Sequence, residues 1–363
     1  GREMRRTMAT IQDVARHAGV SIATVSRVLN GTAIVNAATA ERVRASMQAL
    51  QYRPSRAARN LRANRSRIIG LLVADIRNPF ATTLVQAVED VAQRNGYSLI
   101  LCNSGEDPQR ERRYIEVLCA EQVAGAIIMP TRERQTGLGL LHEQGIPVVA
   151  VDRRVRDSDI DAILGDNVRG AREAVAHLID NGYRRIGIVT GLQSVTTGRE
   201  RLLGYRLALQ DAGLSRDPEL ERCGTFTEES GLQLTRELLA LRNPIDALFV
   251  ANNLSTLGAL EALHAAGLRA PDDLGLVAYD GMPWSEISAV SLTTVVQPIY
   301  ELGSTAAMRL FQRMEHGEPL TRQEIVLAPQ LIVRASSRRR APYERSLRLQ
   351  HLGDTAGSSP LGG

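Results

Sequence analysis

The chain contains no lysine: all 44 basic residues are arginine, set against 40 acids and six histidines. An individual arginine therefore says little, since it stands wherever any cation would, and only clusters can be read as a demand from a partner. Aromatics are scarce, at 4%. With 44% of residues hydrophobic, the interior must be mostly Ala, Val, Leu and Ile, which suits helices packed on parallel sheets. Cys102, Cys119 and Cys223 are widely spaced and form no C-x-x-C pair, so neither a disulfide framework nor a zinc site is indicated. A reducing cytoplasm is the expected compartment. No apolar run reaches the ~18 residues of a membrane span, and the opening "GREMRRTMAT" lacks the apolar region of an export signal. The expectation is a protein neither membrane-spanning nor exported. No Walker motif and no G-x-G-x-x-G follows a strand candidate, so neither a nucleotide cofactor nor any other is expected, and no metal.

What is present is asymmetric. The net charge is only +4, but residues 1 to 67 hold 13 arginines against Glu3, Asp13 and Glu41, a balance of +10, while the remaining 31 arginines and 37 acids come to −6. Basicity gathered at one end is the footprint of a polyanion partner, because each neutralised phosphate releases condensed counterion. At 363 residues, the chain has room for two or three domains.

In "TIQDVARHAGVSIATVSRVLNGT", Thr10 can cap a helix through Ile11, Val14, Ala15 and Ala18, with Asp13 as its capping-box partner. Gly19 supplies a turn, and Ser21 caps a second helix whose Val25, Val28 and Leu29 face inward while Ile22, Ala23, Ser26 and Arg27 point out. A third helix from Asn36 buries Val43, Met47 and Leu50. Three short helices with a tight glycine turn between the first two make a helix-turn-helix, whose second helix enters the DNA major groove. The outward face is small and polar because base edges and phosphates cover it.

This stretch, followed by "YRPSRAARNLR", resembles the N-terminus of the lactose-repressor and galactose-repressor family of transcriptional regulators, through the core D-V-A-x-x-A-G-V-S-x-x-T-V-S-R-V-L-N. The resemblance implies that Ile22 and Ala23 read the major groove beside Arg27, the apolar pair suiting thymine methyls and the arginine a guanine. It also implies that Thr10, Ser21, Thr24, Ser26, Asn30, Asn36, Thr39 and Tyr52 touch phosphate or sugar, which positions without specifying. "PSRAARNLRANRS" then reads as a hinge helix, marginal alone and ordered on DNA. Ala58 and Leu61 are its expected DNA residues, Leu61 being the minor-groove wedge. Ser55 departs from the asparagine often found there.

From Ile68, apolar strand candidates "IIGLLVAD", "YSLILCN", "AGAIIMP", "PVVAVD", "RIGIVTG", "DALFVAN", "LGLVAYD" and "LTTVVQP" alternate with amphipathic helices. Repeated β-α units mean doubly wound parallel sheets. The length fits two lobes, dividing near Gly165 and crossing back after about Thr294. The predicted organisation is a helix-turn-helix headpiece (8–53), a hinge (54–67), a two-lobed α/β domain (68–336; lobes of about 68–165 with 295–325, and 166–294 with 326–336) and a disordered tail (337–363). The tail lacks a leucine heptad, so a homodimer is expected.

Ligands in such sheets bind beyond the carboxyl ends of the strands. There the sequence places Asn78, Asp152, Arg153, Asn252, Asn253, Asp280 and Gln297, with Arg199 or Arg201 in "GRERLLGY" and Phe80 and Phe226 nearby. Carboxylates, amides and arginine satisfy hydroxyls while an aromatic ring covers a sugar's C–H face. The resemblance agrees: residues 68 to about 336 resemble the family's effector domain, itself similar to periplasmic sugar-binding proteins, and "VDR" and "RER" look most like pentose-binding relatives, ribose foremost. "ANN" departs from the usual A-N-D, and Gly281 follows Asp280 in place of an acid or amide. The implied function is a repressor on a pseudo-palindromic double-stranded operator, controlled allosterically by a small sugar, with the sign of control open. A second reading is a cytoplasmic α/β sugar-binding or sugar-converting protein with an accessory basic domain. A receptor would need an export signal, and an enzyme a positioned nucleophile or acid–base pair; no Ser-His-Asp set stands out, and His142, His177 and His264 lie in helical stretches. No enzyme activity is expected.

Overall fold

A computed structural model describes residues 9–30, 35–52, 66–281, 291–315 and 321–339, in two compact units that divide after Ser66. In the first unit, Thr10 opens α1 (Ile11–Ala18) with a complete capping box, Asp13 N donating to Thr10 Oγ1 and Thr10 N to Asp13 Oδ2. Gly19 ends the helix at φ 64°, a left-handed conformation glycine enters without a Cβ penalty. α2 (Ile22–Asn30) and α3 (Ala37–Ala49) follow, and Val14, Val25 and Val43 meet at full burial with Met47, Leu50 and Tyr52 at the margin. A polar link that the apolar pattern does not reveal joins α1 to α3. Buried Ser46 donates to Arg42 O at 2.8 Å, so His17 Nδ1, 3.0 Å away, donates to Ser46. Ser55, Ala58 and Leu61 lie outside the described residues, as does the side chain of Asn30.

The second unit holds two six-stranded sheets. The first runs β11 (Glu324–Leu327), β5 (Asp161–Gly165), β4 (Val148–Val151), β3 (Gly125–Ile128), β1 (Ile68–Val73), β2 (Ser98–Asn103), all parallel. The second runs β12 (Gln330–Ile332), β10 (Thr293–Val296), β9 (Gly275–Tyr279), β8 (Ala247–Val250), β6 (Ile186–Thr190), β7 (Glu221–Cys223), parallel except for β12 against β10. The central strands are buried on both faces, which is why they read as unbroken apolar runs. On the first sheet, α4 (Pro79–Arg94) and α11 (Ile299–Glu315) cover one face, and α5 (Pro108–Ala120) and α6 (Gly139–Glu143) the other. On the second, α7 (Asn167–Asp180) and α8 (Thr196–Asp211) face α9 (Glu228–Leu239) and α10 (Asn253–Ala265) across the sheet.

The chain passes between lobes after Gly165, after Val296 and after Leu327, since β10 sits wholly in the second sheet and β11 in the first. The crossings expected near 294 and 325 therefore lie two residues further on. Both ends of the domain are longer than expected as well. Arg67 O accepts from Ser98 N, which gives Arg67 to the sheet and not to the hinge. Ser337, placed in the tail by its sequence, is fully buried and bonded to His177 Nε2 at 2.7 Å and Thr293 Oγ1 at 2.6 Å. Residues 340–363 lie outside the described residues. The return of α11 to the first lobe is fixed by Asp161, fully buried under Arg309 Nε and Arg313 Nε, each at 2.6 Å. Burial works to raise its carboxyl pKa, but Arg313, Arg309 and the Gln323 N–H hold it below the ordinary value.

Candidate functional site

On the first unit, α2 presents Ile22, 40% exposed, beside exposed Ala23 and Arg27. Ser21 is engaged at its own helix start, accepting from Thr24 N at 3.1 Å and sharing a hydrogen bond with Thr24 Oγ1 at 2.9 Å. Asn36 caps α3 by accepting from Ala38 N at 2.9 Å. Thr24, Ser26, Thr39 and Tyr52 are half-buried. Ser21 and Asn36 thus cap their helices while remaining exposed at the surface.

In the second unit, a cavity of about 360 Å³ opens at the carboxyl ends of the strands of both sheets. Of the residues singled out from sequence, it brings together Asn78, Phe80, Asp152, Arg153, Arg201, Phe226, Asn252 and Asp280. Asp152 and Asp280 occupy matching positions, each just past its strand, with φ of 66° and 65°. That strained turn aims a carboxyl inward while its N–H stays on the neighbouring strand, Asp152 N to Ile163 O and Asp280 N to Val295 O. Each arginine is already matched. Arg153, 4% exposed, forks onto Glu106 at 2.6 and 2.8 Å and donates to Pro130 O. Arg201 donates to Asn167 Oδ1 at 2.9 Å and Ala251 O at 2.7 Å, lies 3.4 Å from Asp280 Oδ2, and stacks 3.8 Å over the Tyr279 ring.

Asp152 reaches Arg153 only at a distance, its Oδ2 3.8 Å from Nε, an ion pair too long for a hydrogen bond. Its carboxyl is buried, Oδ1 has no partner, and burial raises its pKa to about 6, with Arg153 and Arg201 opposing and Asp280 and Glu106 assisting. Thr197 Oγ1 and Arg153 Nε also lack partners on the cavity wall. Phe226 flanks the space by lying over Gly191, where a Cβ would collide with its ring. The arrangement offers fixed acceptors, the Thr197 hydroxyl, an Arg153 Nε–H that makes no hydrogen bond, and aromatic faces, and no unpaired cation among the buried ones.

Three residues singled out from sequence are not on the cavity wall. Arg199 turns away and donates to Glu133 Oε1 at 2.6 Å. Gln297 stands behind the site and donates to Asp280 Oδ1 at 2.7 Å, fixing that carboxyl. Asn253 bridges the lobes, its Nδ2 donating to Asn78 Oδ1 at 2.7 Å. Sequence reasoning missed Glu106 and Thr197. Glu106 lies in "NSGED", a polar run at the carboxyl end of β2, and Thr197 one helical turn before Arg201.

Glu133 organises a second interlobe contact. It is buried, accepts from Thr196 Oγ1 and Arg199 Nη2 of the second lobe and from Arg156 Nε of the first, and Arg154 adds Glu200 and Glu324. Burial acts to raise the Glu133 pKa, and Arg199, Thr196 and Arg156 more than offset it.

Comparison with known proteins agrees with this architecture. Residues 10–55 match the model of the bacterial regulatory proteins of the lacI family, and residues 175–337 that of a periplasmic binding protein-like domain. The chain is 36% identical over 335 residues to a ribose operon repressor of Halalkalibacterium halodurans, covering 91% of this chain and 98% of that protein. It is 36% identical over 330 residues to the HTH-type transcriptional repressor PurR of Mannheimia succiniciproducens, with the same coverage. Among solved structures, the lac repressor dimer bound to operator and the anti-inducer ONPF aligns with a TM-score of 0.78 at 30% identity, over 91% of this chain and 99% of that one. The headpiece, the paired sheets and the cleft between them are those of a DNA-binding transcriptional regulator, and the chain belongs to the lacI family of bacterial regulatory proteins.

Proposed function

We propose that this protein is a homodimeric repressor whose hold on a pseudo-palindromic operator is set by a neutral polyhydroxylated ligand, a pentose such as ribose, bound between the lobes. The observation that carries the reading is the buried Asp152 Oδ1, without a hydrogen-bond partner, on a wall whose buried arginines are already engaged by Glu106 and Asp280 and whose exposed Arg77 is held by Asp75. Hydroxyl donors satisfy such an oxygen, whereas an anionic ligand would meet a wall on which Asp75, Glu106, Asp152 and Asp280 outnumber Arg77, Arg153 and Arg201. The name of the ribose operon repressor relative supports the same class. Ile22, Ala23 and Arg27 read bases, while Thr10, Ser21, Thr24, Ser26, Asn30, Asn36, Thr39 and Tyr52 hold the backbone, and Ala58 and Leu61 engage the minor groove at the operator centre.

The ligand acts by favouring one lobe arrangement, and its coupling to operator affinity is reciprocal. A thermal-shift panel of pentoses, hexoses, sugar acids, phosphosugars and purines tests the assignment. A ligand near 100 times its dissociation constant stabilises the fold by about 2.7 kcal/mol. A shift with ribose, followed by operator binding with and without it, fixes both ligand and sign. A shift with purines or phosphosugars alone overturns the neutral-sugar reading.

A further inference from the structure

A second cavity, of about 330 Å³, shares no lining residue with the cleft; its walls are Arg134, Arg154, Val155, Arg156, Arg322 and Glu324. Four guanidinium groups face one carboxylate, and that carboxylate is occupied. Glu324 accepts Arg154 Nε and Nη2 at 2.8 to 3.1 Å, and Arg154 Nη1 goes to Glu200. The other three arginines retain donors. Arg156 commits Nε to Glu133 at 2.7 Å, leaving both Nη groups. Arg322 makes an ion pair with Asp159, at 3.8 Å, whose carboxylate is 86% exposed, and acts on Glu324 only through its charge. Arg134 has no hydrogen bond or ion pair among the described residues.

Like charges gathered in a concavity repel one another and focus a positive potential that attracts counterions. The planar guanidinium fork matches phosphate geometry, and three forks with unused N–H groups can hold several of its oxygens at once. The contrast with the cleft is chemical: there the buried arginines are consumed by carboxylates, and here donors are left over. We propose that this cavity is a binding site for a small phosphate-class dianion, with Arg134, Arg156 and Arg322 as its donors. Its volume, at the lower end of the range for ligand pockets, admits a phosphoryl group with a small organic remainder.

The test uses the full chain in a chloride buffer of fixed ionic strength, titrated calorimetrically with inorganic phosphate and, separately, with glucose 6-phosphate. Saturable binding is expected, and Arg134→Ala and Arg322→Ala should each weaken it by about tenfold, the loss of one charge-assisted contact. Neither arginine has a carboxylate within hydrogen-bond distance, so both variants should melt as the parent does. Equal affinity for the two probes assigns free phosphate as the ligand; tighter binding of glucose 6-phosphate assigns a phosphomonoester. No saturable heat overturns the proposal, and so does binding unchanged in both variants, which places the anion on other arginines. Phosphate affinity that responds to Asp152→Asn places the anion in the cleft and overturns it equally.

Discussion

The side-chain amide of Asn253, at the start of α10 in the second lobe, donates to Asn78 Oδ1, at the start of α4 in the first, across 2.7 Å. The orientation of both amides is dictated by their surroundings. Asn78 Oδ1 already accepts from Phe80 N, and Asn253 Oδ1 from Leu254 N, so the atom of Asn253 that faces Asn78 must be the nitrogen. This accounts for asparagine where the family usually has aspartate: a carboxylate would set acceptor against acceptor. Asn253→Asp is expected to release the contact and favour an open cleft. Losing about 1 kcal/mol of interlobe contact would weaken sugar binding by about fivefold. Calorimetry on the variant checks this, and unchanged affinity would show that the bond does not hold the cleft.

Glu133 and Arg199 make the stronger interlobe tie, and its two ends should respond unequally. Removing Glu133 leaves Arg199, Arg156 and Thr196 without their shared acceptor. Glu133→Ala should cost about 2 to 3 kcal/mol in denaturant unfolding. Arg199, with 39% of its side chain exposed, can turn to water, so Arg199→Ala should cost under about 1 kcal/mol. A double-mutant cycle between them should give a clear coupling energy. Loss of ligand binding in Arg199→Ala with stability intact would return that residue to the cleft.

On the first unit, Arg27 is exposed on α2 with no ion pair among the described residues. A fork on guanine carries about 1 to 3 kcal/mol of discrimination at one base pair. Arg27→Ala should therefore relax preference at a single operator position and leave the others in place, as a randomised-operator binding assay would show. Equal weakening on every sequence would make it a phosphate contact instead.

How far the sequence could be read depended on burial. Strands β1, β3, β4, β6, β8 and β9 are covered on both faces and announce themselves as apolar runs, but β7, β11 and β12 lie at sheet edges or ends and carry exposed residues such as Glu324 and Gln330. β5, which is not among the strand candidates, begins with the charged Asp161, whose partners Arg309 and Arg313 come from about 150 residues away. Position just after a strand is what brings Asp152, Arg153, Asn252 and Asp280 to the cavity wall. Between the alternatives Arg199 and Arg201, helical geometry decides. Two residues along a helix point about 200° apart, so one of them had to leave the cleft, and the face that holds Arg201 continues to Thr197. Which acceptor each arginine takes is a tertiary fact that spacing does not encode.

Asp152 gives the cleft a pH dependence whose sign can be worked out. Its carboxyl titrates near 6 in the folded chain against an ordinary 3.8, because burial disfavours the charged form. Between those values the folded state keeps a proton the unfolded state has lost, so stability from this group is greatest below pH 3.8 and declines as pH rises to about 6. Asp152→Asn should flatten that slope in the ligand-free protein and raise stability near neutrality, by at most about 3 kcal/mol. Ligand hydroxyls donate to the ionised carboxylate and so favour it. Sugar affinity should then strengthen as pH rises through about 6, by up to tenfold per unit below that value. The variant should bind more weakly and lose this pH dependence. Affinity that stays flat across this window in the unaltered protein would mean that the Asp152 carboxylate does not meet the ligand.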